Sequence, residues 1–477
     1  MSKMIIDGQR VDSSDGLVID VICPSDGQVF TTIPRGTATD VDRAVNAARA
    51  SLSGAWGKVP AFERGRLLMK LSQAVLDHLD ELTDLEARDT GKPMAFARND
   101  ITVLARYFEF YGGGADKVHG QTIPFLNDYA VQVVREPLGV TAHILPWNYP
   151  AQMLGRSVAP ALAMGNAVVV KPAEDACLSI IRVAELALEV GLPAGALNIV
   201  TGLGEEAGAA LSTHPGINFI SFTGSNEVGI HVQQAAAVNA VKCTLELGGK
   251  SAHVVFDDAN MERAAVAISK GIVANTGQTC TAGSRVLVQR GCYDRFMKAL
   301  EKEFSKKTAG TPEMDLDCGP LINEAQFKRV NRYIDLGTQE GLKVEIEGRV
   351  AEGVPPGGYF VRPMVFSAPR HESRLLTEEI FGPILVTVPF DTEAEAIELA
   401  NATSYGLMAA VWSENGSRQT RVARGMQAGQ VYINSFGAGG GVELPFGGVK
   451  HSGHGREKGF IALEEMSTVK TIIQYYG

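Results

Sequence analysis

"GVTAHILPWNYPAQMLGRSVAPALAMGNAVVVKPAE", residues 139–174, contains the clearest pattern of secondary structure in this chain. It consists of an apolar, β-branched strand, a helical run that begins at a proline, and a second apolar strand. Two apolar strands joined by a helix are typical of parallel pairing through a crossover connection. Further strands follow in "LNIVTG", "INFISFTGS" and "VKCTLELGG", with helical runs between them. The pattern therefore predicts a parallel sheet that is covered by helices on both faces.

A second series of alternating strands and helices runs from about residue 250 to 430, and "STVKTIIQYYG" at the C-terminus predicts one more strand. The chain has 477 residues, which is more than one hydrophobic core usually serves. We therefore expect at least two domains. Near the N-terminus, "ERGRLLMKLSQAVLDHLDELTDLEARDTGKP" predicts one long amphipathic helix that stops at Gly91 and Pro93.

Composition excludes several classes of protein. The net charge of −10 argues against a nucleic-acid or anionic-membrane surface. The six cysteines are sparse and form no C-x-x-C pair, and the nine histidines show no metal-binding spacing, so we predict reduced thiols and no metal. The N-terminus carries no apolar signal region, and no apolar run is long enough to span a bilayer. The sequence predicts a soluble, cytoplasmic protein.

Three turns that follow predicted strands carry residues suited to a phosphate or a ribose. Gly204 lies in "TGLGEEAG", and Gly224 and Ser225 lie in "FTGS", where N–H groups at a helix N-terminus favour an anion. Lys171 and Glu174 end "VVVKPAE", where a carboxylate can accept hydrogen bonds from a ribose diol. The alternatives are a tight turn, a helix N-cap at Ser225 and a solvated Lys–Glu pair. Together the three turns favour dinucleotide binding.

Three further residues are candidates for catalysis. Asn148 in "LPWNYP" could donate to an oxyanion, or it could be a buried turn residue bonded to backbone. Glu246 in "LELGGKS" could be a general base with a raised pKa, or a solvated strand end. Cys280 in "GQTCTAG" could be a nucleophile, or an inert core thiol. The residues by themselves leave these alternatives open.

In combination, these stretches resemble the NAD(P)-dependent aldehyde dehydrogenase superfamily. The matching motifs occur in the order of that family and cover nearly the whole chain: "PWNYP", "KPAE", "FTGS", "LELGGKS", "GQTCTAGSR", "EEIFGP" and "PFGGVKHSGHGRE". The resemblance implies an oxidoreductase that converts an aldehyde to a carboxylic acid while it reduces NAD(P)+. It also implies a thiohemiacetal and then a thioester on Cys280, which water activated by Glu246 hydrolyses, with Asn148 in the oxyanion hole.

The resemblance implies an α/β fold with a Rossmann-like cofactor domain, an α/β catalytic domain and a β oligomerisation arm. The expected boundaries are 1–122 and 141–247 with 447–465 for the cofactor domain, 248–446 for the catalytic domain, and 123–140 with 466–477 for the arm. A homodimer or homotetramer is the expected assembly, because long arm strands leave edges that a second subunit would pair.

The resemblance also implies the cofactor site. The expected residues are Trp147, Lys171, Glu174, Gly204, Gly224, Ser225, Leu247, Glu379 and Phe381. A carboxylate at Glu174 repels a 2′-phosphate, which favours NAD. Lys171 beside it could offset this repulsion, so the sequence leaves NADP use open.

The substrate is the least determined feature. Arg156 aligns where relatives often place an aromatic residue in the substrate tunnel, and it could pair with an anionic aldehyde. The alternative is that a protein acid such as Glu443 neutralises Arg156, or that Arg156 faces solvent. The other expected tunnel residues, which suit an aromatic or apolar body, are Met153, Thr279, Thr281, Phe436, Leu444 and Phe446. The rival functions are a CoA-acylating dehydrogenase, a cysteine hydrolase and a catalytically silent binding protein.

Overall fold

The computed structural model describes residues 2–368, 373–437 and 441–477. Its strands, in chain order, are β1 Met4–Ile6, β2 Gln9–Val11, β3 Val18–Ile22, β4 Val29–Pro34, β5 Gln121–Ile123, β6 Tyr129–Pro137, β7 Val140–Ile144, β8 Ala167–Lys171, β9 Leu197–Ile199, β10 Phe219–Thr223, β11 Lys242–Glu246, β12 Ala252–Val255, β13 Arg285–Gln289, β14 Thr308–Ala309, β15 Lys343–Glu347, β16 Arg349–Val350, β17 Met364–Ser367, β18 Ile384–Phe390, β19 Met408–Trp412, β20 Gln430–Ile433, β21 Gly453–His454 and β22 Ser467–Tyr475.

The α-helices alternate with most of these strands. They are α1 Ala38–Ser53, α2 Ala61–Asp77, α3 Leu79–Thr90, α4 Met94–Gly114, α5 Pro150–Ala163, α6 Leu178–Glu189, α7 Ala209–Thr213, α8 Asn226–Val238, α9 Met261–Val273, α10 Tyr293–Phe304, α11 Glu324–Gln339, α12 Arg374–Thr377, α13 Glu393–Asn401, α14 Gly416–Gly425 and α15 Ile461–Glu465.

The first large sheet has the strand order β2-β1-β9-β8-β7-β10-β11-β21. Its five central strands are parallel, and β7 pairs with β8 on one side and with β10 on the other. The chain therefore builds outward from β7 in one direction and then returns to build in the other. Such a reversal of strand order opens a crevice at the carboxyl ends of the strands, where doubly wound folds bind ligands. The predicted parallel sheet is confirmed.

The second large sheet has the order β15-β17-β18-β13-β12-β19-β20, and all of its pairs are parallel except β15 with β17. A separate three-stranded sheet pairs β22 with β6 and β6 with β5. The α/β prediction is confirmed. Strands β6 and β22 lie in the segments expected to form an arm, whereas β5 begins two residues before the first of them. The domain boundaries themselves stay a proposal.

The N-terminal helices differ from the prediction. The long helix expected over 63–93 is two helices, α2 and α3, that meet at His78, whose ring nitrogen lies 2.9 Å from the carbonyl of Ala74. This contact between the His78 side chain and the preceding turn occurs where the helix is interrupted. The sequence has no Gly or Pro at this point that would indicate the interruption. The stop is as expected, because Gly91 adopts the left-handed conformation just after α3.

Helix α4 ends in "YGGG", a run that on propensity alone weakens a helix. Tertiary packing overrides the propensity, since a Cβ on Gly65 of α2 would lie 2.5 Å from the carbonyl oxygen of Gly112. The two helices approach so closely that only glycine fits at this contact. No helix within the described ranges is long and apolar enough to cross a membrane.

Candidate active site

The predicted ribose residues lie at the end of β8. The Nζ atom of Lys171 is 2.7 Å from Glu174 Oε2, and the Lys171 side chain is only 3% exposed. The alternative of a solvated surface pair is therefore wrong for Lys171, because a buried ammonium needs its partner. The Glu174 side chain is about a third exposed at the crevice, so its carboxylate oxygens can accept further hydrogen bonds from a ligand.

The turn after β10 contains Gly224 and Ser225 and leads into helix α8. Ser225 is the N-cap of the 13-residue helix α8, and its side chain accepts a hydrogen bond from the N–H of Val228 at 3.3 Å. Gly224 donates its N–H to the carbonyl of Glu246 at 3.1 Å, which fixes the turn against β11. Leu247 packs on the first turns of α8, because a Cβ on Gly229 would lie 2.5 Å from its side chain. The site therefore presents a helix N-terminus at the strand-order reversal.

Gly204 begins a short π-helical turn, Gly204–Gly208, after β9. A Cβ at Gly204 would meet no heavy atom within 4 Å among the described residues, so the turn faces open space. Its neighbour Glu206 is held by Arg35 through two hydrogen bonds. Gly204 thus lies at the same sheet edge as Lys171 and Gly224, although nothing in its packing requires glycine.

An aromatic pair joins the two large sheets at the crevice. The ring of Trp147, just after β7, meets that of Phe381 edge to face with centroids 5.4 Å apart. Phe381 has a positive φ of 63°, and Gln326 donates to its carbonyl at 2.7 Å. Glu379 accepts the N–H of Gly249 at 2.8 Å, and burial raises the pKa of Glu379 to about 7. The expected cofactor residues Trp147, Glu379 and Phe381 therefore lie together.

These residues fit a dinucleotide on structural grounds. The crevice offers an ammonium–carboxylate pair at β8, a helix N-terminus at β10, open space at the π-helical turn, and an aromatic pair beside a buried carboxylate. Such a ligand requires polar groups for its ribose, N–H donors for its pyrophosphate and a flat apolar wall for its heteroaromatic ring.

The loop before Cys280 has a strained backbone. Asn275 and Thr276 have φ values of 46° and 57°, a region that costs side-chain-bearing residues about 1–3 kcal/mol each. Asn275 donates to the carbonyl of Asn148 at 2.8 Å, and Thr276 donates to that of Gly319 at 2.9 Å. Gln278 accepts the N–H of Ile322 at 2.9 Å. The surrounding structure holds the loop in a conformation that it would not adopt alone.

Cys280 is half-buried at the end of this loop. A Cβ on Gly249 would lie 2.3 Å from the Cys280 carbonyl oxygen, so only glycine allows the loop that carries Cys280 to approach the segment after β11 this closely. Burial raises the pKa of the Cys280 thiol to about 12. The Arg156 charge opposes this shift, and the charges of Glu379 and Glu246 add to it. The thiol therefore lies within electrostatic reach of the predicted base.

Glu246 ends β11 and is 2% exposed. Neither of its carboxylate oxygens has a hydrogen-bond partner among the described residues. Burial raises its pKa well above the usual range, and the Arg156 charge only partly offsets this. The alternative of a solvated strand end is wrong. A buried, unpaired carboxyl group in a crevice is what a general base requires.

Asn148 is buried, and its Nδ2 donates to the carbonyl of Gln278 at 3.0 Å. The alternative of a turn residue bonded to backbone is therefore partly correct. An amide nitrogen carries two hydrogens, and this bond uses one of them. The bond also attaches the amide to the loop that carries Cys280, two residues away. Its role as an oxyanion donor stays a proposal.

Arg156 is 4% exposed and does not face solvent. Its Nε forms an ion pair with Glu457, its Nη2 donates to Thr223 at 3.1 Å, and its guanidinium carbon lies 4.8 Å from the ring centroid of Phe446. Burial disfavours the charged form, but the neighbouring carboxylates, chiefly Glu457, outweigh burial and raise the pKa of Arg156. Its charge is used within the protein.

The prediction for Arg156 is corrected accordingly. A protein acid neutralises it, but that acid is Glu457 and not Glu443, which pairs with Arg106 instead. The physical reason is burial, because a guanidinium that loses its water needs a carboxylate that is buried with it. The structure therefore gives an anionic aldehyde no support from Arg156.

Arg156→Ala is expected to destabilise the fold by about 3–5 kcal/mol, because it leaves the buried carboxylate of Glu457 without its partner. The KM values for anionic and neutral aldehydes should change alike. Arg106→Ala is the matched control, since its Arg–Glu pair is about half exposed and should contribute no more than about 1 kcal/mol. Urea unfolding measures both. Equal stabilities of the two variants would contradict the assignment.

The expected tunnel residues differ in how close they lie to Cys280. Phe436 and Phe446 pack with Leu407, Met408 and the side chain of Cys280 in one apolar cluster. Thr281 follows Cys280 directly, and its backbone N–H contacts the thiol. Met153 is buried in the hydrophobic core around the first large sheet, whereas Leu444 is 42% exposed. The structure thus brings the two phenylalanines to the nucleophile and leaves Leu444 at the surface.

The raised pKa of Cys280 predicts the pH dependence of its reactivity. Below the pKa of a thiol, the thiolate fraction grows about tenfold per pH unit. The rate at which iodoacetamide alkylates Cys280 should therefore keep rising with pH up to about pH 9, without cofactor or aldehyde present. Quantifying the alkylated Cys280 peptide by mass spectrometry measures the slope. A plateau near neutral pH would show a thiolate already formed.

A cysteine and a buried glutamate beside a crevice that fits a dinucleotide are together the arrangement expected of a cysteine-dependent oxidoreductase. Residues 11–472 match the model of the aldehyde dehydrogenase family, and the chain belongs to that family. Its members are oxidoreductases that oxidise aldehydes with NAD(P).

Three relatives illustrate the similarity. An aldehyde dehydrogenase of Emericella nidulans is 41% identical over 471 residues, which span 98% of this chain and 94% of that protein. A candidate aldehyde dehydrogenase from Burkholderia cenocepacia is 54% identical, with a TM-score of 0.99 over 100% of both chains. Betaine aldehyde dehydrogenase of Staphylococcus aureus, solved with NAD+, is 37% identical, with a TM-score of 0.96 over 100% of this chain and 95% of that one. The predicted family, fold and enzyme class are confirmed.

Several residues at the site have no signal in the local sequence. Glu457 lies in a quoted motif, but nothing in the motif indicates that it pairs with Arg156, 301 residues away. Gln326 and Arg329 donate to backbone carbonyls of the 379–381 segment from α11, a helix without a distinctive pattern. Such contacts are set by tertiary packing.

Proposed function

We propose that this chain oxidises an aldehyde to a carboxylic acid with NAD+, with Cys280 as the nucleophile and Glu246 as the general base. The observation that carries the proposal is the state of Glu246. It is a buried carboxyl group with both oxygens unpartnered among the described residues, and its charge acts on the thiol of Cys280. A structural glutamate in that position would have a partner.

The chemistry begins with a proton transfer. Because burial keeps the Cys280 thiol protonated, a base must remove its proton as the sulfur attacks the aldehyde carbon. Glu246, whose pKa is raised by the same burial, is the group that can accept it. The carbonyl oxygen of the aldehyde gains negative charge. The free N–H of Asn148 and the backbone N–H of Cys280 are the donors proposed to stabilise it.

The cofactor would be held by Lys171 and Glu174 at one ribose, by the N-terminus of α8 at the pyrophosphate, and by Trp147, Glu379 and Phe381 at the nicotinamide end. When bound there, a nicotinamide supplies the hydride acceptor that allows the thiohemiacetal on Cys280 to become a thioester.

The second half of the reaction again uses Glu246. After Glu246 has released the thiol proton to solvent, its carboxylate takes a proton from water and the hydroxide adds to the thioester carbon. The carbon–sulfur bond then breaks, the carboxylic acid forms, and Glu246 returns its proton to the Cys280 sulfur. The base argues against the CoA-acylating alternative, in which an external thiol accepts the acyl group. The crevice of the first sheet argues against a hydrolase without redox chemistry.

NAD is the proposed cofactor, and Glu174 is the residue on which the preference depends. Glu174→Gln removes the charge that repels a 2′-phosphate but keeps the shape of the side chain. The ratio of kcat/KM for NADP to that for NAD should rise by about tenfold, which corresponds to the loss of about 1.4 kcal/mol of repulsion. Steady-state kinetics with both cofactors measure the ratio. An unchanged ratio would place the discrimination elsewhere.

The proposed substrate is a neutral aldehyde with an apolar or aromatic body. The support comes from Phe436 and Phe446, which pack beside the nucleophile, and from Arg156, whose charge is taken by Glu457. The alternative of an anionic aldehyde depended on a free charge at Arg156, and that charge is paired with Glu457. Rates of NADH formation with benzaldehyde, a short aliphatic aldehyde and a carboxylate-bearing semialdehyde test this order of preference.

A homodimer or homotetramer is the proposed assembly. The support is the strand β22, which pairs with β6 on one side and exposes Val469, Ile472 and Ile473. Apolar side chains on a long edge strand favour pairing with another copy. Sedimentation equilibrium tests the proposal, and a monomer would contradict it.

A cytoplasmic location also stays a prediction.

The experiment that tests the proposed function is cofactor reduction across the aldehyde panel without CoA. We expect NADH to form with at least one aldehyde and the matching carboxylic acid to appear in equal amount. NADH formation only when CoA is added would favour the acylating alternative. Cofactor binding without turnover of any aldehyde would favour the catalytically silent one.

A further inference from the structure

The strained loop before Cys280 is held by two neighbouring residues of the segment after β7. Asn148 Nδ2 donates to the carbonyl of Gln278 at 3.0 Å. The hydroxyl of Tyr149 lies 2.8 Å from the hydroxyl of Thr279, the residue just before the nucleophile. Consecutive residues of one segment thus bond to consecutive residues of the other.

The Tyr149 hydroxyl is well placed for this bond. The residue is half-buried, and burial raises the pKa of the phenol, so the hydroxyl keeps its proton. Nothing in the proposed chemistry uses this hydroxyl directly. Its bond to Thr279 is a side-chain contact to the nucleophile loop from outside the loop, and the loop backbone stores strain at Asn275 and Thr276.

A buried ionic cluster fixes the ring of Tyr149. The Nζ atom of Lys92 lies 4.2 Å from the ring centroid, which is the range of a cation–π contact. That ammonium is 2.5 Å from Asp100 Oδ2 and 3.4 Å from Glu86 Oε1. Gln152, one turn after Tyr149 in α5, donates to the other oxygen of Asp100 at 2.6 Å. The cluster is therefore attached to the same helix start that carries the ring.

We propose that Tyr149, fixed by Lys92, is a positioning residue that sets the Cys280 thiol for attack through the hydroxyl bond to Thr279. The inference rests on the proposed function, since it concerns the same nucleophile. It predicts that removing either hydroxyl weakens the reactivity of the sulfur and that the second removal adds nothing. Aldehyde binding should change little, because the bond acts on the loop.

The test is a double-mutant cycle of Tyr149→Phe and Thr279→Val. Thr279→Ser is the conservative variant that keeps the hydroxyl. Tyr293→Phe is the matched control, since Tyr293 makes the same type of bond to Thr387, at 2.9 Å, in the second sheet. The first readout is the rate at which iodoacetamide alkylates the Cys280 peptide, without cofactor or aldehyde. The second readout is kcat and KM for the best aldehyde.

Each single variant should lower the alkylation rate and kcat by about 3- to 10-fold, which is the range for one hydrogen bond. The double variant should be no slower than the singles, and the KM of Tyr149→Phe should stay within about twofold. Thr279→Ser, which keeps the hydroxyl, should be faster than Thr279→Val, and Tyr293→Phe should keep near wild-type rates. Losses that multiply in the double variant, an equal loss in Tyr293→Phe, or a change confined to KM would overturn the proposal. If the wild type reduces no cofactor, the proposed function fails, while the alkylation cycle still decides this inference.

Discussion

Replacing Cys280 by alanine is expected to lower kcat for aldehyde oxidation by about 1,000-fold or more, because the proposed mechanism places both covalent intermediates on its sulfur. Cofactor binding should persist, since the residues proposed to hold the dinucleotide lie on other elements. Steady-state NADH formation and titration of cofactor binding by fluorescence measure the two properties separately.

Cys23→Ala is the matched control for this variant. Cys23 is also a half-buried free thiol, but it lies between β3 and β4, away from the crevice. It should retain wild-type activity. A Cys280→Ala enzyme with more than about a tenth of the wild-type rate would contradict the role of the sulfur as nucleophile.

Glu246→Gln is expected to slow steady-state turnover by about 100- to 10,000-fold, the usual contribution of a positioned base. The reason is that glutamine keeps the shape of the side chain but cannot accept a proton from water or from the thiol. At high pH, where hydroxide replaces the base, the variant should recover part of its rate. Stopped-flow measurement of NADH separates the first turnover from later ones.

Hydroxylamine provides the control for this variant. As a nucleophile stronger than water, it attacks a thioester without help from a base. At about pH 9, where hydroxide can take the thiol proton in place of Glu246, it should therefore raise turnover and yield a hydroxamic acid. No restoration, together with a wild-type rate of thioester hydrolysis, would contradict the role of Glu246 in the second half of the reaction.

The parts of the fold that depend on local pattern could be predicted from the sequence. The helix α8 begins and ends where its periodicity indicates, and the parallel strands β7, β8 and β10 follow their apolar runs. The catalytic candidates lie at strand ends or in a small-residue loop, which are positions that the local sequence marks.

The parts that depend on distant residues could not. Arg156 has its partner Glu457 in a segment 301 residues further on, and Tyr149 has its partner Thr279 130 residues further on. The interruption at His78 has no Gly or Pro to mark it. Each of these is decided by tertiary packing, which a single sequence does not display.

The final test is mass spectrometry of the acid-quenched Cys280 peptide from Glu246→Gln after mixing with NAD+ and an aldehyde at about pH 9, where hydroxide can take the thiol proton that glutamine cannot. The account predicts an acyl group on the Cys280 sulfur, formed only when both NAD+ and aldehyde are present, and removed by hydroxylamine. No acyl adduct on Cys280, or one on another residue, while NADH is formed, would contradict it.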